Sequence, residues 1–218
     1  MIDGKEIWRE MQHQKIINQV AQSVLGPAGF LQVGTSRLWY QDNEWFACFA
    51  DFQPFSGSRG TTLNYGISWL WHGTAHWTFD ICYRADEFIE YTEDDSFREA
   101  VIGFSEIAVN YSRTIRDKVI SPVSALRHVG QLGLRSGEAT IDLAILAGLA
   151  GHQAKALRLL RKAHVSVPKL PWHLERNHWI GTLTSKVSDH QTFIRFLTDR
   201  IIVTRERRGM HKKEPNFF

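Results

Sequence analysis

Cysteine is nearly absent from this chain: Cys48 and Cys82 are the only two among 218 residues, and both lie in apolar, strand-like runs. Free cysteine in such a setting behaves as a small buried hydrophobe, so a disulfide framework is not indicated. No apolar run approaches the roughly 18 to 20 residues that span a bilayer. The opening Met1-Ile2-Asp3-Gly4-Lys5-Glu6 lacks the basic-then-apolar layout of a signal peptide, and the expectation is a cytoplasmic protein without a membrane partner. Missing too are a Gly-x-Ser-x-Gly elbow, a glycine-rich phosphate loop and a dinucleotide fingerprint. Those absences weigh against an enzyme without excluding one, because hydrolases also assemble His, Asp and Arg from distant segments. No cofactor is expected.

What the chain has in abundance is aromatic: eight Trp and thirteen Phe against 22% charged residues, a globular composition rich in large core or interface side chains. The formal net charge of +3 conceals an asymmetry. Residues 1–120 hold 16 acidic and 10 basic side chains, net −6, whereas residues 121–218 hold 7 and 16, net +9. Either the halves attract one another or they face different partners.

Aromatic and apolar residues crowd most densely between Thr62 and His72, which reads as a central strand, with companions from Trp45 to Phe52 and from Trp77 to Tyr83. Asp3 and Glu6 form a capping-box pattern that starts a helix, and Gly26-Pro27 stops it. Gly29 to Val33 and Arg37 to Gln41 make a hairpin about Gly34-Thr35-Ser36. Phe97, Val101, Phe104, Ala108, Tyr111 and Ile115 recur at helical spacing behind Asp94 and Asp95, predicting a long helix packed on the sheet. Ser121-Pro122 starts a shorter helix. Gly137 to Ala147 and Gln153 to Ala163 read as a tetratricopeptide-like helix hairpin, Trp172 to Lys186 carries no clear pattern, and Ser188 to Ile201 opens a last helix.

The expected class is therefore α+β: an N-terminal helix, an antiparallel meander of about five strands on a long helix, then a helical C-terminal part. The organisation predicted is an α+β domain over 1–120 and a helical extension over 121–218, or a single domain overall. Leu25, Pro27, Gly29, Phe30, Gly34, Trp39, Trp45, Phe52, Gln53, Leu63, Asn64 and Gly66 together resemble the opening of a bacterial family, domain of unknown function 4304. The likeness spans roughly residues 5 to 85. It implies an α+β fold with a helix before an antiparallel sheet, and it transfers no catalytic residue.

Four groups of residues are candidates for function. Asp86, Glu87, Phe88, Glu90, Tyr91, Glu93, Asp94 and Asp95 combine six carboxylates with apolar anchors, a pattern that suits a basic protein partner or simply a solvated approach to a helix. Trp172, His173, His178 and Trp179 fit core packing, an interface or acid–base chemistry. Arg205, Arg207, Arg208, Lys212 and Lys213 form a basic tail that could neutralise phosphates. His72 and His76 would need a third or fourth ligand to hold zinc; Asp80 is the only carboxylate near them in sequence, and no metal is assigned. The leading expectation is a non-enzymatic bacterial binding protein, an immunity protein or antitoxin that blocks a basic toxin domain. The alternatives are nucleic-acid binding through the C-terminal half and a hydrolase with a histidine site. Oligomeric state is left open.

Overall fold

The computed structural model describes residues 4–54 and 59–217, with side chains from residue 12 onward. The fold is α+β, with seven α-helices and an antiparallel sheet among the described residues. It divides into two compact units. One comprises the chain up to Trp69 together with Thr78–Ile115; the other comprises Leu70–Trp77 and the chain from Arg116 onward.

In the first unit, α1 (Gly4–Val24) precedes the strands β1 (Phe30–Gln32), β2 (Leu38–Asn43), β3 (Phe46–Gln53), β4 (Gly60–Trp69), β5 (Ile81–Arg84) and β6 (Ile89–Glu90). Strands one to five follow one another as a meander, and β6 pairs with the start of β4. The capping residue Asp3 lies outside the described residues. The two central strands are buried along most of both faces, as their unbroken apolar runs require. On one face Phe46, Cys48, Ala50 and Phe52 stand opposite Trp69, Ile67, Tyr65 and Leu63. The long helix α2 (Asp94–Lys118) sets Tyr111 edge-on against Tyr65 and Tyr83, with ring centroids 5.2 and 5.5 Å apart. Such edge-to-face pairs add about 0.5–1.5 kcal/mol each to the burial itself.

Three expectations are corrected. The strand predicted from Trp77 to Tyr83 begins only at Ile81, because Asp80 turns back to accept the amide of Trp69 at 2.7 Å and the hydroxyl of Thr78 at 2.9 Å. Cys82 is exposed rather than buried: on β5 it points to the opposite side from the buried Ile81. The aromatic stretch from Thr62 to His72 is not one strand. It runs straight to Trp69 and then coils into a 3₁₀ turn, Leu70–His72, that belongs to the second unit.

The second unit is helical: α3 (Pro122–Gln131), α4 (Gly137–Leu149), α5 (Gln153–Ala163), α6 (Pro171–Lys186) and α7 (His190–Arg207). Ser121 and Ser124 form a reciprocal capping box, and Ser136 caps α4 through the Ala139 amide at 3.0 Å. Helices α4 and α5 form the expected hairpin. Gly148 lets α4 lie against Phe193 and Val187, which a Cβ there would meet at 2.5 and 2.9 Å. No helix among the described residues is long and apolar enough to cross a membrane.

Candidate functional site

The acidic segment is fastened to the entrance of β4 by its backbone. The Ala85 amide donates to Leu63, the Thr62 hydroxyl to the Glu87 carbonyl at 3.3 Å, and the Tyr91 amide to the Arg59 carbonyl at 2.8 Å. Between these ties Gly60 and Thr61 pair with Glu90 and Ile89. Gly60 is required there, since a Cβ would stand 2.1 Å from the Ile89 carbonyl oxygen and 2.6 Å from the Phe88 ring. Folding thus holds the backbone and leaves the side chains outside.

The eight residues singled out here divide into two sets. Tyr91 and Asp94 serve the fold: the Tyr91 hydroxyl donates to Asp94 at 2.5 Å, Gln12 donates to the same carboxylate at 2.8 Å, and the Tyr91 ring packs on His13 and Phe97. The Tyr91 bond, then that from Gln12, holds the Asp94 carboxyl below its ordinary value. Asp86, Glu87, Glu90, Glu93 and Asp95 are exposed, and Phe88 keeps 38% of its surface open beside them. Among the described residues no Lys, Arg or His forms an ion pair with these five carboxylates.

The second group lies on α6, a helix that Pro171 opens at its first turn. Trp172 is 47% exposed, whereas Trp179 is partly covered by Phe196 and by the Arg200 guanidinium, 4.8 Å from its ring centre. His173 accepts the Lys169 amide at 3.1 Å, which closes the turn before α6. His178 is exposed, one helical turn before Thr182, whose hydroxyl donates to its carbonyl. The structure therefore sets the Trp172 and His173 rings together, 4.0 Å apart, and gives His178 and Trp179 other neighbours.

The basic tail is largely engaged in folding the second unit. Arg205, 1% exposed, donates to the His211 carbonyl at 2.8 and 3.0 Å. Arg207 donates to the Gly73 carbonyl at 2.6 Å. Arg208 reaches the carbonyls of Thr74 and His76 and stacks over Trp77 at 4.7 Å. Lys212 and Lys213 are exposed. Two of the five cations foreseen as phosphate ligands, Arg207 and Arg208, thus clasp residues 73 to 77, and a third, Arg205, holds the carbonyl of His211.

Within that loop His72 and His76 part company. His76 is exposed and takes part through its carbonyl, while the His72 imidazole sits 3.4 Å from Asp142 of α4. Asp142 is 2% exposed and also accepts the Trp71 indole N–H at 2.9 Å. Sequence reasoning missed Asp142. Its signal was a carboxylate set among Ile141, Leu143, Ala144 and Ile145 in the apolar middle of α4, a position that needs a buried partner.

No family model, no curated protein and no solved structure matches this chain. The chemistry must therefore be read from the two units themselves. The first offers a fixed edge of exposed carboxylates with an aromatic among them. The second offers a buried Asp–His–Trp constellation and an arginine clasp, each already occupied with partners inside the fold.

Proposed function

We propose that this chain is a non-enzymatic binding protein whose first unit docks a basic protein through the edge formed by β6 and its flanks. In the sharpest form of the proposal it is an immunity protein or antitoxin of a bacterial pair, and the docked protein is a toxin domain. The bacterial setting is part of the proposal, since no family model matches the chain. The observation that carries the reading is the set Asp86, Glu87 and Glu90, exposed on a backbone tied to β4, with Glu93 and Asp95 exposed at the start of α2 and the Phe88 ring, 38% exposed, among them. A backbone-held edge rich in carboxylates steers a basic partner, and an apolar anchor within it limits dissociation.

The nucleic-acid reading is weaker, because Arg205, Arg207 and Arg208 have carbonyl partners that phosphate contacts would have to displace. A hydrolase built on His72 is weaker as well, since Asp142 pairs there with a structural indole. The test is co-expression with the product of the neighbouring gene, followed by pull-down and growth measurement. The expected result is capture and restored growth, both lost on combined Asp86→Lys, Glu87→Lys and Glu93→Lys substitution. Capture and protection that survive all three reversals would sink the proposal, as would failure to capture the neighbour at all.

A further inference from the structure

From residue 143 to residue 174 the sequence contains no Asp or Glu, while Lys155, Arg158, Arg161, Lys162 and Lys169 fall within it. Helix α5 buries Ala156, Leu160 and Ala163 and exposes Lys155, Arg158, Arg161 and Lys162, so its outer side is cationic. The connection to α6 and the first turn of that helix then expose large apolar side chains in quick succession. Val167 is 69% exposed, Leu170 47%, Trp172 47% and Leu174 61%. No other eight-residue window among the described residues exposes four such side chains.

This corner is built, not slack. Asn177 fastens Val165 twice, accepting its amide at 3.0 Å and donating to its carbonyl at 2.8 Å. The Lys169 amide donates to His173, which brings the connection back onto α6. Trp172 is held between the His173 ring, 4.0 Å away, and the Arg176 guanidinium, 4.6 Å from its centre. Arg176 in turn pairs with Glu138. Apolar side chains on a fixed backbone lose little conformational freedom on binding, and Trp beside Arg is the composition of interface anchors.

We propose that this corner of the second unit docks an acidic protein segment that presents apolar side chains on one face. Charge complementarity selects the occupant: the apolar residues supply the anchor, and the carboxylate-free cationic side of α5 supplies the sign. An anionic membrane surface fits less well. Seating this corner on a uniformly anionic surface would press the exposed carboxylates of Glu138 and Glu175 against like charge, whereas a peptide can place its own carboxylates over α5 alone. The site is independent of the acidic edge of the first unit and takes the opposite charge.

The test uses the full chain and a fluorescein-labelled 16-residue peptide of Glu and Leu, with Leu at positions i, i+3, i+4 and i+7. A scrambled peptide of the same composition and vesicles of phosphatidylglycerol and phosphatidylcholine are run beside it. Fluorescence anisotropy should show binding of the patterned peptide, weakened about tenfold by Trp172→Ala and by the pair Val167→Ser and Leu174→Ser. Arg158→Glu with Lys162→Glu should weaken it by a similar factor, as should raising the salt from about 50 to about 300 mM. Val167 and Leu174 are so open that their variants keep the fold, which circular dichroism checks. Equal binding of the scrambled peptide, indifference to both variant pairs, or binding to vesicles without binding to peptide would overturn the proposal. Asp86→Lys with Glu87→Lys should leave peptide binding unchanged, so failure here and failure of the toxin-binding reading are separable.

Discussion

At Asp142 a nearly inaccessible carboxylate holds together residues from two places in the chain. It accepts the Trp71 indole at 2.9 Å and stands 3.4 Å from His72. Removing it leaves a buried N–H without an acceptor and takes the carboxylate from beside the His72 ring. Asp142→Ala should therefore cost about 2–4 kcal/mol, read as a lower urea midpoint. Tyr111 is the opposite case. Its hydroxyl is buried without a hydrogen-bond partner among the described residues, and burial pushes its phenol well above the ordinary range. Tyr111→Phe removes a polar group that has no compensation, so stability should hold or rise by up to about 1 kcal/mol. A loss larger than that would show that the hydroxyl has a partner after all. The aromatic role of Tyr111 was legible in its helical stripe. The solitude of its hydroxyl was not, because spacing reports which face is buried and says nothing about what a polar atom meets there.

Among the elements, β6 is the smallest, and the proposed docking edge is built on it. It pairs with β4 only at Gly60 and Thr61, and it can do so because Gly60 has no side chain. Gly60→Ala should detach the acidic segment locally. The expected signature is faster amide exchange from Glu87 to Tyr91, with exchange in β3 and the middle of β4 unchanged. Caps give a second prediction. The Thr192 amide donates to Asp189 at 2.6 Å, and that bond holds the Asp189 carboxyl below its ordinary value of 3.8. A lowered folded value means the contribution is complete above about 3.8 and fades as pH falls through the folded value, so Asp189→Asn should flatten the acid limb of the stability curve. Most elements could be foreseen from periodicity, including α2 and the α4–α5 hairpin. Helix α6 could not, because its apolar residues form no stripe and only Pro171 announces its start. The shortened β5 was hidden for a different reason: Trp77, Thr78 and Phe79 look like strand residues, and the side-chain bonds of Asp80 that turn the chain carry no period.

For the whole molecule, the charge split along the sequence proved a sound guide to where charge is exposed and a poor one to what it does. The acidic excess of residues 1–120 does include a set of open carboxylates, from Asp86 to Asp95. The basic excess of the C-terminal half includes an outer side of α5 and an arginine clasp around residues 72–77. Counting cations cannot separate the two, since a guanidinium bound to carbonyls and one in water have the same letter. An antiparallel meander was legible from short turns joining successive strands while its strand order was not, and the passage of Leu70–Trp77 into the helical unit depends on the Trp71 and His72 contacts with α4. The central claim concerns the acidic edge, and calorimetric titration of the purified chain with the neighbouring gene's product tests it most directly. With Asp86, Glu87 and Glu93 all reversed to Lys, affinity should fall about 100-fold, and in the unaltered chain it should weaken steeply with added salt. An affinity indifferent to both the reversals and the salt would contradict it.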